Sequence, residues 1–227
     1  MKYAVFSDVH SNVFALKAAL KEIDKIRPDK IICLGDIVGN GFYPEETVSL
    51  IRERGDITCV KGNHDMFVTM DLRNFSKEDS RVKVFMWQQK VISSASKAFL
   101  SALPQSIKFK DGDYDITAFH YPLNQSGRFK NMRYLPSRQD LDYLFGEEKG
   151  DIFLFGHEHT GSMDEINGRY FLNFGTLGNF FQKDTARFGL LEIDGKKVGY
   201  KPINAYYDDS SARETTEKLN KILNREK

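Results

Sequence analysis

Short apolar runs alternate with helically spaced apolar positions through the first third of the chain. Tyr3 to Phe6 reads as a strand, and the segment after it sets Leu16, Ala19, Leu20, Ile23 and Ile26 on one helical face before Pro28 stops it. Lys30 to Leu34 supplies a second strand. A helix is predicted from about Pro44 to Arg54, with proline early and Glu45 and Glu46 complementing the dipole of the first turn. Ile57 to Val60 is the third strand. Strands alternating with helices in this way predict βαβ units and a parallel sheet.

Residues from about 76 to 103 read as one helical segment, in which Val84, Gln88, Ile92, Ala95, Phe99 and Leu103 draw a mostly apolar stripe ending at Pro104. That segment is expected over or beside the sheet, next to the active site. In the second half, Tyr114 to Phe119 and Asp151 to Phe155 are apolar runs bounded by turns, and Ser137 with Asp140 resembles a capping box opening a short helix. Asn167-Gly168 and Asp194-Gly195 each separate two strand-like runs and signal two-residue hairpins. The charged tail, about 208–225, reads as a surface helix. No repeat or linker interrupts the chain. The expectation is a single domain over 1–227 of class α/β, two packed mixed β-sheets flanked by helices in a four-layer αββα sandwich.

The chain's 227 residues suffice for a sizeable core. With 33 Lys plus Arg against 32 Asp plus Glu, no global charge favours duplex nucleic acid, an anionic membrane or an acidic partner, so any recognition of phosphate must be local. The N-terminal apolar run breaks at Asp8, too soon for a signal peptide, and no apolar stretch approaches the roughly 20 residues that cross a bilayer. A cytoplasmic protein is expected. Cys33 and Cys59 each lie in an apolar run without Cys-x-x-Cys spacing, as buried reduced thiols do. Neither a sustained heptad nor an apolar surface stripe sets an oligomeric state.

Candidate chemistry gathers at strand ends. Ser7-Asp8-Val9-His10, Gly35-Asp36-Ile37-Val38-Gly39, Gly62-Asn63-His64-Asp65 and Gly156-His157-Glu158-His159 each follow an apolar strand, and His120 follows Phe119. Ligands of open α/β sheets bind at the carboxyl ends of strands, so these segments should converge. All five histidines of the chain fall in them. Imidazole with carboxylate is the donor set of borderline divalent cations. Side chains two apart, as in Asp8/His10 and His157/His159, can point the same way from an extended loop.

These motifs, weak singly and specific in this order, resemble the calcineurin-like metallophosphoesterase superfamily over residues 3 to about 178. Within it they are most similar to small bacterial and archaeal phosphoesterases related to diadenosine tetraphosphatases and to serine/threonine phosphatases. The resemblance implies two divalent metal ions. Asp8, His10, Asp36 and His159 would hold one, Asp36, Asn63, His120 and His157 the other, with Asp36 bridging. Such a pair, roughly 3.5–4 Å apart, polarises the phosphoryl oxygens and lets a bound water lose its proton to become the nucleophile. His64 would then protonate the leaving alkoxide or hold the charge developing on phosphorus, and Asp65 could orient it. Manganese is the expected metal on ligand type, with iron, zinc, nickel and magnesium as alternatives.

Two departures bear on substrate. Gly35-Asp36-Ile37-Val38-Gly39-Asn40-Gly41 lacks the acid and arginine of the phosphatases' Gly-Asp-x-x-Asp-Arg-Gly, which argues against a dedicated protein phosphatase. Asn173-Phe174-Gly175-Thr176 stands where relatives show Asn-Pro-Gly-Ser. The expected activity is hydrolysis of a phosphodiester or nucleotide phosphate bond in a small substrate. The alternatives are a phosphomonoesterase or protein phosphatase, or a non-catalytic module that binds phosphate or metal. Arg128-Phe129-Lys130-Asn131-Met132-Arg133-Tyr134 is either solvated surface or a clamp, in which Arg128 or Arg133 pairs with a distal phosphate and an aromatic stacks on a base.

Overall fold

Every strand and helix named here was located in a computed structural model, which describes residues 1–178, 184–208, 210, 213, 214, 217, 218 and 221. In chain order they are β1 (Lys2–Phe6), α1 (Val13–Ile26), β2 (Lys30–Cys33), α2 (Pro44–Arg54), β3 (Ile57–Cys59), α3 (Asn63–Thr69), α4 (Ser80–Val91) and α5 (Ser94–Ala102). There follow β4 (Ser106–Asp111), β5 (Tyr114–Phe119), α6 (Arg138–Phe145), β6 (Ile152–Phe155), β7 (Ser162–Ile166), β8 (Arg169–Asn173), β9 (Thr185–Asp194) and β10 (Lys197–Tyr206).

The strands form two five-stranded sheets, ordered β10-β9-β1-β2-β3 and β4-β5-β6-β8-β7. Both are mixed: β1, β2 and β3 run parallel, as do β5, β6 and β8, while β9, β10, β4 and β7 pair antiparallel. Period-two alternation divides the core between layers. Tyr3, Val5, Ile32 and Leu34 meet Ile116, Ala118, Ile152, Leu154 and Leu172 between the sheets. The opposite faces of β1 and β2, with Ala4, Phe6 and Cys33, pack on Leu16, Ala19 and Ile23 of α1. Outside the second sheet, Phe153, Phe155 and Phe171 pack on Leu141, Leu144 and Phe145 of α6. This is the predicted four-layer sandwich.

Both hairpins form. Asn167 and Gly168 take φ of +54° and +77° between β7 and β8, as a tight primed turn requires, and the β9–β10 turn falls on Gly195-Lys196, one residue later than predicted. Ser137 caps α6 and Asp140 returns the capping-box bond. Both cysteines are buried and free.

Two expectations need correction. The helical segment 76–103 is two helices: Ser93 caps α5, and the Glu45 carboxylate on α2 accepts from the Ser93 amide at 2.8 Å and from the Ser96 hydroxyl at 3.0 Å. Its buried positions are Val82, Phe85, Gln88 and Ile92, then Ser96 and Leu100, so Gln88 and Ile92 hold their predicted places but the stripe is not continuous. β4 and α3 are additional elements. The C-terminal helix over about 208–225 falls largely outside the described residues. Among those residues no helix is long and apolar enough to cross a membrane.

Candidate metal centre

The loops after β1, β2, β5 and β6 and the start of α3 meet at one edge, where the parallel strands of both sheets end. The backbone there is not extended, as the two-residue spacing suggested: Asp8, His10, Asp36, His157 and His159 have φ of +55°, +49°, +52°, +70° and +63°. Left-handed non-glycine residues cost of order 1–3 kcal/mol each, and persist where surrounding bonds over-determine them. Such bonds are present. The amides of Asp8, His10 and Ser11 donate to the carbonyls of Gly35, Asp36 and Ile37, each at 3.0 Å. The Thr176 hydroxyl and Gly178 amide donate to the Asp8 carbonyl at 2.8 and 2.9 Å. Gly62 and Gly156 are needed for close approach, since a Cβ on the first would strike Asp36 and on the second Ser7 and Asp8.

All seven predicted ligands converge. His159 Nε2 lies 3.1 Å from Asp8 Oδ1 and 3.1 Å from His10 Nε2. His120 Nε2 lies 2.9 Å from Asn63 Oδ1, 3.2 Å from His157 Nδ1 and 3.4 Å from Asp36 Oδ2. Two nitrogens bound tetrahedrally to one cation at roughly 2.1 Å are themselves roughly 3.4 Å apart, so donors gathered at 3.1–3.4 Å are close to the spacing of shared ligation. Asp8, His10 and His159 make one donor group, Asp36, His120 and His157 another, and His10, Asp36 and His64 a third. His120 Nδ1 is 2.8 Å from the Leu34 carbonyl, which can only accept, so Nδ1 carries a proton and Nε2 is the nitrogen turned to the other donors, free to ligate once its own proton is released.

Burial alone would raise the carboxyls of Asp8 and Asp36. The imidazoles of His159 and His120 beside Asp8, and of His120 and His64 beside Asp36, outweigh it and hold both below the ordinary carboxylate range. Burial and then His64 lower His10 to about 3, and burial and then His120 lower His157 to about 4, leaving both neutral. Burial opposes the charge on His120 too, but Asp36 and Asp8 prevail and raise it to about 9. Asp65 is pushed up to about 7 by burial and the Asp36 charge, and Glu158 to about 8, chiefly by burial.

These shifts set a pH dependence for protein stripped of metal. His120, Asp65 and Glu158 hold protons in the folded chain that the unfolded chain has already released, so their stabilisation is lost as pH rises through about 9, 7 and 8. The opposing contributions of His10 and His157 are complete once pH passes 6.5. Calorimetry in chelator should therefore show Tm falling from pH 6.5 to 9; a flat or rising Tm contradicts this arrangement.

Several supports were not predicted. Gln88, buried on α4, donates from Nε2 to the Gly39 and Gly41 carbonyls at 3.0 and 3.1 Å and to Ser11 Oγ at 3.1 Å, while its Oε1 accepts from the Gly39 amide. Its only sequence signal is a polar position within an apolar stripe. Gln88→Leu takes this partner from the Gly39 amide, the Gly41 carbonyl and Ser11 Oγ, while the Gly39 carbonyl keeps the Gly41 amide, at about 1–3 kcal/mol for each group left unsatisfied where water cannot reach. Denaturant titration should show a loss of about 2–4 kcal/mol. Asp65 does not orient His64; it accepts from the amides of Val38 and Gly62 at 3.1 and 2.9 Å, tying two motif loops together. Buried Asn173 likewise bridges the Gly156 carbonyl and the amides of Gly161 and Gly175. Glu158 is buried and accepts from the Tyr121 hydroxyl at 3.1 Å.

The basic–aromatic loop is anchored by Phe129, whose ring meets His120 edge-on at 5.8 Å and stacks on His157 at 6.4 Å. Lys130 Nζ donates to the Tyr143 and Leu144 carbonyls at the end of α6. The Arg133 guanidinium lies over Tyr143 and 3.6 Å from Asp140, turned to α6. Arg128 is exposed.

A model of the calcineurin-like phosphoesterase superfamily domain matches residues 1–196. An uncharacterized protein of Methanocaldococcus jannaschii is 33% identical over 185 residues, 77% of this chain and 69% of its own length. A hypothetical protein of Pyrococcus horikoshii superposes with a TM-score of 0.80 at 18% identity, over 98% of this chain and 97% of that one. A metallophosphoesterase from Sphaerobacter thermophilus does so at 0.72 and 24% identity, over 98% and 97%. At such identities the superpositions attest the fold alone. The family match, which runs through every strand-end motif that builds the centre, places the chain in the calcineurin-like phosphoesterase superfamily and so among the metallophosphoesterases.

Proposed function

We propose that the chain, acting as one cytoplasmic domain, hydrolyses a phosphodiester or nucleotide phosphate bond at a dinuclear centre, with manganese the expected metal. Asp8, His10, Asp36 and His159 would hold one ion, and Asp36, Asn63, His120 and His157 the other. The observation that carries this is the position of Asp36, whose carboxylate belongs to two of the three donor groups and stands between the remaining ligands. The ions, when bound, supply Lewis-acid polarisation of the phosphoryl oxygens and an activated water. The protein's part is to hold the donors and move a proton. The His64 amide donates to Asp36 Oδ1 at 2.8 Å and its Nε2 lies 3.8 Å from Asp36 Oδ2; a phosphate held by ions on Asp36 would then lie within reach of the imidazole, whose role is to protonate the leaving oxygen. A non-catalytic module is disfavoured because the ligand set and His64 are complete.

The missing acid and arginine after Asp36 favour a diester over a phosphoprotein, and Arg128 is the loop cation free to reach a distal phosphate. Manganese-loaded protein should cleave bis-p-nitrophenyl phosphate faster than p-nitrophenyl phosphate; the reverse order would move the activity to monoesters.

A further inference from the structure

A cavity of about 190 Å³ opens beside His64, between α3 and α4, walled by Asn63, His64, Phe67, Phe75, Val82 and Phe85. Two larger clefts, one around Lys108, Lys110 and Lys149 and one around Ser126, Lys130 and Glu147, include no residue of the centre. The walls are mostly aromatic. Phe67 and Phe85 stack with centroids 5.0 Å apart and planes at 12°, and Phe85 meets the His64 ring edge-on at 5.1 Å. Phe75 stands edge-on to Phe67 at 5.8 Å, yet it is 37% exposed and lies outside the three core clusters. The packing of the fold does not account for that ring.

Size limits the occupant. An apolar cavity of about 150 Å³ takes one benzene ring, so this one takes a single ring system with its substituents. Position limits it further. If His64 protonates the leaving oxygen, whatever that oxygen carries lies on the His64 side of phosphorus, where the cavity opens. Asp79 and Arg81, paired at 2.9 Å, stand at the rim and offer an acceptor and a fork of donors to a ring with a polar edge. A nucleobase has such an edge; a plain aryl group does not.

We infer that this cavity seats the base of a nucleoside carried on the leaving oxygen, so that the substrates are phosphate esters of nucleosides and Phe75 is a specificity residue. This rests on the reading of His64 and the metals given above.

Binding separates the two. Manganese-loaded protein is titrated calorimetrically with an AMP analogue bearing CH2 in place of the bridging oxygen, which cannot be cleaved, and with the same phosphonate on bare ribose. Both should bind, the nucleoside compound roughly tenfold tighter, the scale of one base stacked on an aromatic side chain. Phe75→Ala should erase that advantage and Phe75→Tyr should keep it, with the ribose phosphonate's Kd the same in all three proteins. Equal affinity for both compounds in the unmodified protein, or an advantage that survives Phe75→Ala, overturns the inference and leaves the metal centre standing. Failure of the ribose phosphonate itself to bind overturns both.

Discussion

Asp36→Asn should lower kcat/KM for a phosphodiester by roughly a thousandfold or more and reduce the metal held per chain. The carboxylate is 1% exposed, receives the His64 amide at 2.8 Å and lies 3.4 Å from His120 Nε2, so an amide of the same shape can take its place without repacking. What disappears is the negative charge between the two proposed ions. Stabilisation of transition-state charge by bound metals is worth several kcal/mol, and each 1.36 kcal/mol is tenfold in rate. Asn can still accept through one oxygen, which keeps the His64 amide bond and makes the variant a test of charge rather than of folding. Elemental analysis beside the kinetics checks it. Near-normal turnover with two ions retained would remove Asp36 from the bridging position.

His64→Ala should behave differently. The donor group His10, Asp36 and His64 shows that His64 stands near enough to ligate. Nevertheless its Nδ1 is buried without a hydrogen-bond partner, and a Cβ on Gly39 would collide with it, while its ring lines the cavity beside the centre. A residue that donates a proton is expected to contribute about 10²–10⁴ to kcat. The variant should lose that factor with an ester whose leaving group is a nucleoside alkoxide. It should lose much less with a p-nitrophenyl ester, whose leaving group departs without a proton. Metal content should be unchanged. An equal loss on both esters with depleted metal would make His64 a ligand instead of an acid.

Much of this arrangement was legible from sequence because it is written in local periodicity. Short apolar runs in β1, β2, β5 and β6, Pro44 at the start of α2, and the Asn167-Gly168 turn each state their conformation within a few residues. The centre was legible for another reason: every histidine follows a strand, and parallel strands end at a common edge. What escaped depends on distant partners. The break between α4 and α5 is fixed by Glu45, about fifty residues earlier in sequence, and Gln88 acquires its meaning only from the carbonyls of Gly39 and Gly41. The left-handed backbone at Asp8, His10 and Asp36 was likewise unreadable, since the bonds that impose it come from other loops. Arg133 has the composition of a phosphate clamp, but Tyr143 and Asp140 hold it against α6.

The most direct test follows bis-p-nitrophenyl phosphate hydrolysis as manganese is titrated into chelator-stripped protein, with bound metal counted at each step. Dinuclear catalysis predicts no turnover at the start and a rise that levels off at two ions per chain. Turnover that ignores chelation, or two bound ions with no hydrolysis of this or any nucleotide ester, would contradict it.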